Sequence, residues 1–202
     1  MNVTFEELPN TGILISNIPK NLYNDLLDES LNCNNNEIMK SGLTGKGVAK
    51  HIYVEKNYEN LKNYIKLLFS EYVKKYPNIL NVDILTKDYP IAITKPWINH
   101  QYKHQFIPHH LHSGIASYTI WMKIPYDSDN QLKTGGKHAS CFEFIYNDIT
   151  GVSRNKTYKL NKNNEGFILM FPSKLSHCVY PFYENDDVRI SISGNIQLGD
   201  YE

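Results

Sequence analysis

Of the eight histidines in this 202-residue sequence, five crowd into one stretch: His100, His104, His109, His110 and His112. Imidazole is the commonest protein ligand for transition metals, and its proton chemistry is centred near neutral pH. His110 and His112 are separated by one residue, and side chains at i and i+2 of an extended segment point to the same face. The pair can therefore offer two ring nitrogens to one ion, with His109 turned the other way. Two nitrogens hold an ion loosely, so a third ligand is expected from another strand. FPSKLSHCVYP supplies it as His177, flanked by apolar strand residues.

A second group of residues lies downstream in VRISIS. Alternation places Val188, Ile190 and Ile192 on one face and Arg189, Ser191 and Ser193 on the other, so Arg189 faces either solvent or a polar pocket. The same rule turns the Cys178 thiol away from His177 and argues against a Cys/His nucleophilic dyad. Glu143 in CFEFIYN is the nearest strand carboxylate after the histidine pair, and is either a further ligand or a surface residue. His100, His104 and His109 read as surface or satisfied core histidines near a pocket mouth. Among the aromatics only Trp97, beside the histidine-rich strand, is a candidate for stacking on a substrate.

These residues need a scaffold, and its texture changes along the chain. An apolar strand is expected from Thr11 to Asn17, followed by a helix from Pro19 to about Leu31. The Asn- and Gly-rich segment Asn32 to Lys50 reads as a loop, and its GLTGKG lacks the GK[ST] ending of a phosphate-binding loop. Between Asn57 and Tyr76, Leu61, Ile65, Leu68, Phe69, Tyr72 and Val73 recur at helical spacing. After Pro77, short β-branched and aromatic runs alternate with turn residues: IAITKPWIN, IASYTIWMKI, SCFEFIYN, GFILMF, HCVYPFY and VRISISGNIQL. Strands with helices only upstream imply an antiparallel sandwich or barrel. The expected organisation is one domain, with residues 1–80 as helical N-terminal support and 90–200 as the β core.

Composition narrows the partners. Lysine plus arginine and aspartate plus glutamate number 21 each, so no overall field draws the chain to nucleic acid or an anionic membrane. Three separated cysteines form no disulfide framework and no thiolate zinc pair. No run of about 18 apolar residues and no basic, apolar leader occur. A soluble, cytoplasmic protein with a small or locally recognised substrate is expected, its oligomeric state open. The loops at Asp127 to His138 and Asn147 to Thr157 carry no recognisable substrate chemistry.

From Pro96 to Leu198 the ordered motifs WIN, PHHLHSG, SYTIWMKIPY, FPSKLSHCVYPF and VRISISGNI resemble the Fe(II)- and 2-oxoglutarate-dependent oxygenase superfamily, in particular small members found in bacteria and tailed phages. The resemblance implies a mainly β fold, a double-stranded β-helix of jelly-roll, cupin-like type, preceded by the N-terminal helices. It implies His110, His112 and His177 as the metal ligands, and Arg189 with Ser191 as a clamp for the far carboxylate of 2-oxoglutarate, where a planar guanidinium gives two parallel bonds. Asn99 and Asn195 stand where related sequences carry polar pocket residues that contact the cosubstrate. The departure is His112, an imidazole where most of the superfamily has a carboxylate, which raises the charge of the metal centre by one unit. Rival readings are a cupin-like three-histidine dioxygenase that needs no 2-oxo acid, and a non-catalytic β-sandwich module of phage type.

Overall fold

The computed structural model describes residues 10–33, 50–80 and 90–199. In chain order its strands are β1 Leu14–Asn17, β2 Lys50–Tyr53, β3 Ile91–Ile93, β4 Trp97–Gln101, β5 Ile107–His110, β6 Ala116–Lys123, β7 Phe142–Asn147, β8 Ser153–Tyr158, β9 Phe167–Pro172, β10 Ser176–Val179 and β11 Arg189–Leu198. The helices are α1 Lys20–Asn32, α2 Tyr58–Lys75 and α3 Ser128–Gly135. The Asn- and Gly-rich loop expected upstream of Lys50 lies almost wholly outside the described residues.

Among the described residues, seven strands form a major sheet in the order β1-β9-β6-β11-β4-β2, with β3 pairing β11. Four form a minor sheet, β5-β10-β7-β8. Every pairing is antiparallel. Side chains alternate across a strand, so a strand covered on both sides reads as a continuous apolar run. β6 is that strand: ASYTIWM is buried throughout. One of its faces, Tyr118, Ile120 and Met122, packs with Leu26 of α1 and Leu61, Ile65 and Tyr72 of α2. The other contributes Trp121 to a second core with Phe142, Phe144 and Phe171 between the two sheets. The molecule is thus three layers: helices, major sheet, minor sheet.

α2 forms where helical spacing was expected, burying Leu61, Ile65, Phe69 and Tyr72, with Glu59 in the first turn and Lys74 and Lys75 in the last, as the helix dipole favours. α1 begins directly after Pro19. Its buried Glu29 accepts from the backbone N–H groups of Glu55, Lys56 and Asn57 at 2.6–2.9 Å and from the Asn57 amide at 3.0 Å, which ties α1 to the start of α2.

Four features depart from the sequence reading. The strand expected within Thr11 to Asn17 forms as β1, but β2 was not expected, and both add to the major sheet beside the N-terminal helices. The segment read as a loop at Asp127 to His138 contains α3, whose Asp127 side chain caps the Asp129 N–H. The loop read at Asn147 to Thr157 contains most of β8, a polar edge strand whose Arg154 and Lys156 are exposed. IAITKPWIN, read as one run, is broken around Pro96 into β3 and β4.

Candidate metal centre

His110 closes β5 and pairs directly across to His177 of β10, where the register between the two strands shifts. His112 lies two residues beyond β5, its N–H donating to the Ser173 carbonyl at 2.9 Å. The three rings meet: centroids are 4.2 Å apart for His110 and His177, and 5.1 Å for both other pairs. One ligand atom from each lies within 4.8 Å of the others. The His110 Nδ1 donates to the Pro108 carbonyl at 2.7 Å, and the His177 Nδ1 to the Leu175 carbonyl at 2.9 Å. A carbonyl can only accept, so each Nδ1 carries the proton and each Nε2 presents a lone pair. His112 Nε2 stands 3.3 Å from His177 Nε2. With metal–nitrogen bonds of about 2.0–2.1 Å, two ligands of one ion are separated by roughly 3–3.4 Å. The donor set fits a mononuclear transition-metal ion.

Electrostatics agree with that use. Burial, reinforced by the neighbouring His110, pushes His177 down to about 3 and His112 down to about 4, and burial lowers His110 as well. The imidazoles are therefore neutral near pH 7, and no proton has to leave before a cation binds.

The histidines open onto a cavity of about 260 Å³ between the sheets. Its wall includes Asn99, Ser191 and Asn195, together with Trp97, whose ring lies 5.8 Å from that of His112. No carboxylate, lysine or arginine lines it among the described residues. Asn99 Nδ2 donates to the hydroxyls of Ser191 and Ser193 at 3.2 and 3.1 Å. Asn195 Oδ1 accepts from Ser117, which leaves its amide protons to the cavity. Gly194 leaves room for Tyr118, whose Oη would sit 2.4 Å from a Cβ there.

Arg189 is not brought to that cavity, and the expected pairing with Ser191 is split. Its guanidinium, 3 % exposed, gives all five N–H groups to neutral oxygens. Gln101 Oε1 takes two, and Tyr126 Oη, the Ser140 carbonyl and the Tyr180 carbonyl take one each. Tyr126 and Phe182 stack against it at 5.6 and 5.5 Å. Placed so, it has no donor left for a cosubstrate carboxylate, because this socket has captured it.

Glu143 also stays away from the three histidines. It pairs with Cys178 across β7 and β10, on the face opposite His177. Of the other histidines, His100 Nε2 donates to the Ser30 carbonyl at 2.9 Å, His104 packs edge-on to Tyr183, and His109 is exposed. The residue that sequence reading passed over is His51. It pairs with Asn99 between β2 and β4 and lines the cavity, with burial and His110 pushing it down to about 4. The short run KHIY was its only signal.

A family profile described as "Putative 2OG-Fe(II) oxygenase" matches residues 95–195, half of the chain. A search of curated proteins finds no match. Among solved structures the chain is similar to a prolyl-4-hydroxylase from Pseudomonas putida, at 12 % identity over 94 % of each chain with a TM-score of 0.61. It is similar to a viral collagen prolyl hydroxylase from Paramecium bursaria chlorella virus-1, solved with 2OG, at 10 % identity, 93 % and 96 % coverage and a TM-score of 0.55. It is also similar to the epimerase SnoN of nogalamycin biosynthesis, solved with Fe3+ and alpha ketoglutarate, at 12 % identity, 93 % and 79 % coverage and 0.61. At these identities the structures establish the fold, the double-stranded β-helix. With the profile spanning half its length and the three-histidine pattern assembled in space, the chain belongs to the 2OG-Fe(II) oxygenases, a family of oxidoreductases that use Fe(II) and 2-oxoglutarate.

Proposed function

We propose that this protein is a dioxygenase that couples oxidative decarboxylation of 2-oxoglutarate to hydroxylation of a C–H bond in a small or locally recognised substrate. The observation that carries the reading is the convergence of three neutral imidazoles, two with Nδ1 pinned to backbone carbonyls, at the mouth of a cavity that no carboxylate lines among the described residues. His110, His112 and His177 are the residues that would hold Fe(II), with His112 in the position usually filled by a carboxylate. Ferrous iron, when bound, supplies the binding positions for O₂ and a 2-oxo acid and the oxidising power that side chains lack.

The protein's own residues do the rest. Three neutral ligands leave the double positive charge of a ferrous ion uncompensated, and among the described residues the cavity wall offers no anion. A dianionic 2-oxo acid meets that demand. Its far carboxylate is held by the Ser191 hydroxyl and the Asn195 amide, whose protons the protein leaves unused, with Asn99 fixing the Ser191 oxygen. Arg189, one strand step from Ser191, contributes through its buried positive charge rather than by direct contact. Phe142, Phe171 and Val179 keep the cavity dry.

The test is turnover of 2-oxoglutarate to succinate without added substrate. His110→Ala and His177→Ala are expected to abolish iron binding and this uncoupled turnover, and a chelator to stop it in the parent protein. Succinate formed at the parental rate by both variants would overturn the assignment.

A further inference from the structure

The strands that carry two of the catalytic histidines carry a second cluster of metal-ligating side chains on their other face. His109 precedes His110 on β5, Cys178 follows His177 on β10, and Glu143 lies opposite Cys178 on β7. Alternation sends these three outward where His110 and His177 go inward. One ligand atom from each, nitrogen, sulfur and oxygen, lies within 4.8 Å of the others.

The cluster is built rather than incidental. Glu143 is 2 % exposed and Cys178 fully buried, while His109 stands exposed at the edge. Thr157 and Asn155 donate to Glu143 Oε2 at 2.7 and 3.1 Å, and Tyr180 to Oε1 at 3.2 Å, which fixes the carboxylate. His138 Nδ1 comes within 2.9 Å of Oε2, close enough for charge pairing, yet makes no hydrogen bond of acceptable angle. No lysine or arginine pairs with this carboxylate among the described residues. Those donors and His138 hold Glu143 as the anion despite its burial, so a negative ligand oxygen stands within reach of the Cys178 sulfur and the His109 ring. A divalent ion can reach this donor set from the exposed His109 side.

We propose a second divalent metal site at His109, Glu143 and Cys178, of the zinc-preferring class that its nitrogen, sulfur and oxygen donors define. His138 acts there as an outer partner that orients Glu143. The Cys178 thiol gives up its proton to solvent as the ion binds. The site ties β5, β10 and β7 together behind the catalytic centre, and it is a structural staple independent of the reaction catalysed in front.

Cobalt(II) titration of the whole protein tests it, because a thiolate ligand produces a near-ultraviolet charge-transfer band that an all-imidazole centre cannot. The parent is expected to bind a second equivalent with that band. Cys178→Ser and His109→Ala should each lose the band and one equivalent. His110→Ala should keep the band while losing the other equivalent. His109 is exposed, so His109→Ala retains the fold and keeps the test decisive if Cys178→Ser does not fold. A parent that binds a single equivalent without the band, or a band that survives in Cys178→Ser, overturns the proposal.

Discussion

Arg189 is the residue whose surroundings most change the meaning of its motif. A guanidinium with five N–H groups met by four neutral oxygens is a fixed part of the core, and truncating it removes the donors of Gln101 Oε1 and the Tyr180 carbonyl and leaves the Ser140 carbonyl only the Tyr126 hydroxyl at 3.3 Å. Arg189→Ala is expected to lower stability by about 3 kcal/mol or more, seen as a shift of the urea midpoint. Arg189→Lys should recover little of that loss, since an ammonium cannot reach a planar set of four acceptors. A lysine variant as stable as the parent would show that the socket is not what holds the residue. The inward-facing row of β11 was legible from alternation, and the histidine pair from its spacing. The socket was not, because Gln101, Tyr126, Ser140 and Tyr180 are scattered over eighty positions and meet only in the folded chain. His51 escaped notice for the same reason: its role is set by pairing with Asn99, not by its neighbours in sequence.

At the scale of elements, long periodic segments and short apolar runs declared themselves, and polar or partner-dependent strands did not. α2 and β6 were visible because burial of one stripe, or of both faces, leaves a strong pattern. β8 is an exposed edge strand held by its pairing with β7, and its residues SRNKTY carry no burial signal. β2 is four residues long and owes its conformation to β4. The joint between α1 and α2 depends on one carboxylate, Glu29, accepting four hydrogen bonds. Glu29→Gln replaces an acceptor by a donor against N–H groups and is expected to cost roughly 2–3 kcal/mol. Amide exchange should accelerate at Glu55, Lys56 and Asn57 before it does in the strands; uniform exchange across the chain would argue against a local joint.

At the scale of the whole molecule, the cluster of buried imidazoles makes stability depend on pH. His51, His112 and His177 take up protons near 6.5 in the unfolded chain but only near 3 to 4 in the folded one, because burial penalises their charged forms first. Between those limits the unfolded state binds more protons, so stability falls as pH drops from 6.5 toward 4. Above 6.5 this penalty is absent. The metal-free protein should therefore show an unfolding temperature that is flat above neutrality and declines below it. Saturating metal should raise that temperature, by about 2.7 kcal/mol of added stability at a hundredfold excess over Kd. An unfolding temperature insensitive to metal at pH 7 would count against the centre.

β11 has a further consequence. Its odd-numbered residues from Ser191 to Asn195 form the cavity wall, while Ile190, Ile192 and Ile196 seal the core beneath the helices. A codon inserted or deleted just before Ser191 would exchange the two rows, sending isoleucines into the cavity and hydroxyls under α1 and α2. Heritable change in this lineage can therefore exchange Ser191, Ser193 or Asn195 one at a time, or lengthen the surface connections. The length of this strand is frozen, because catalysis and folding read opposite faces of the same ten residues.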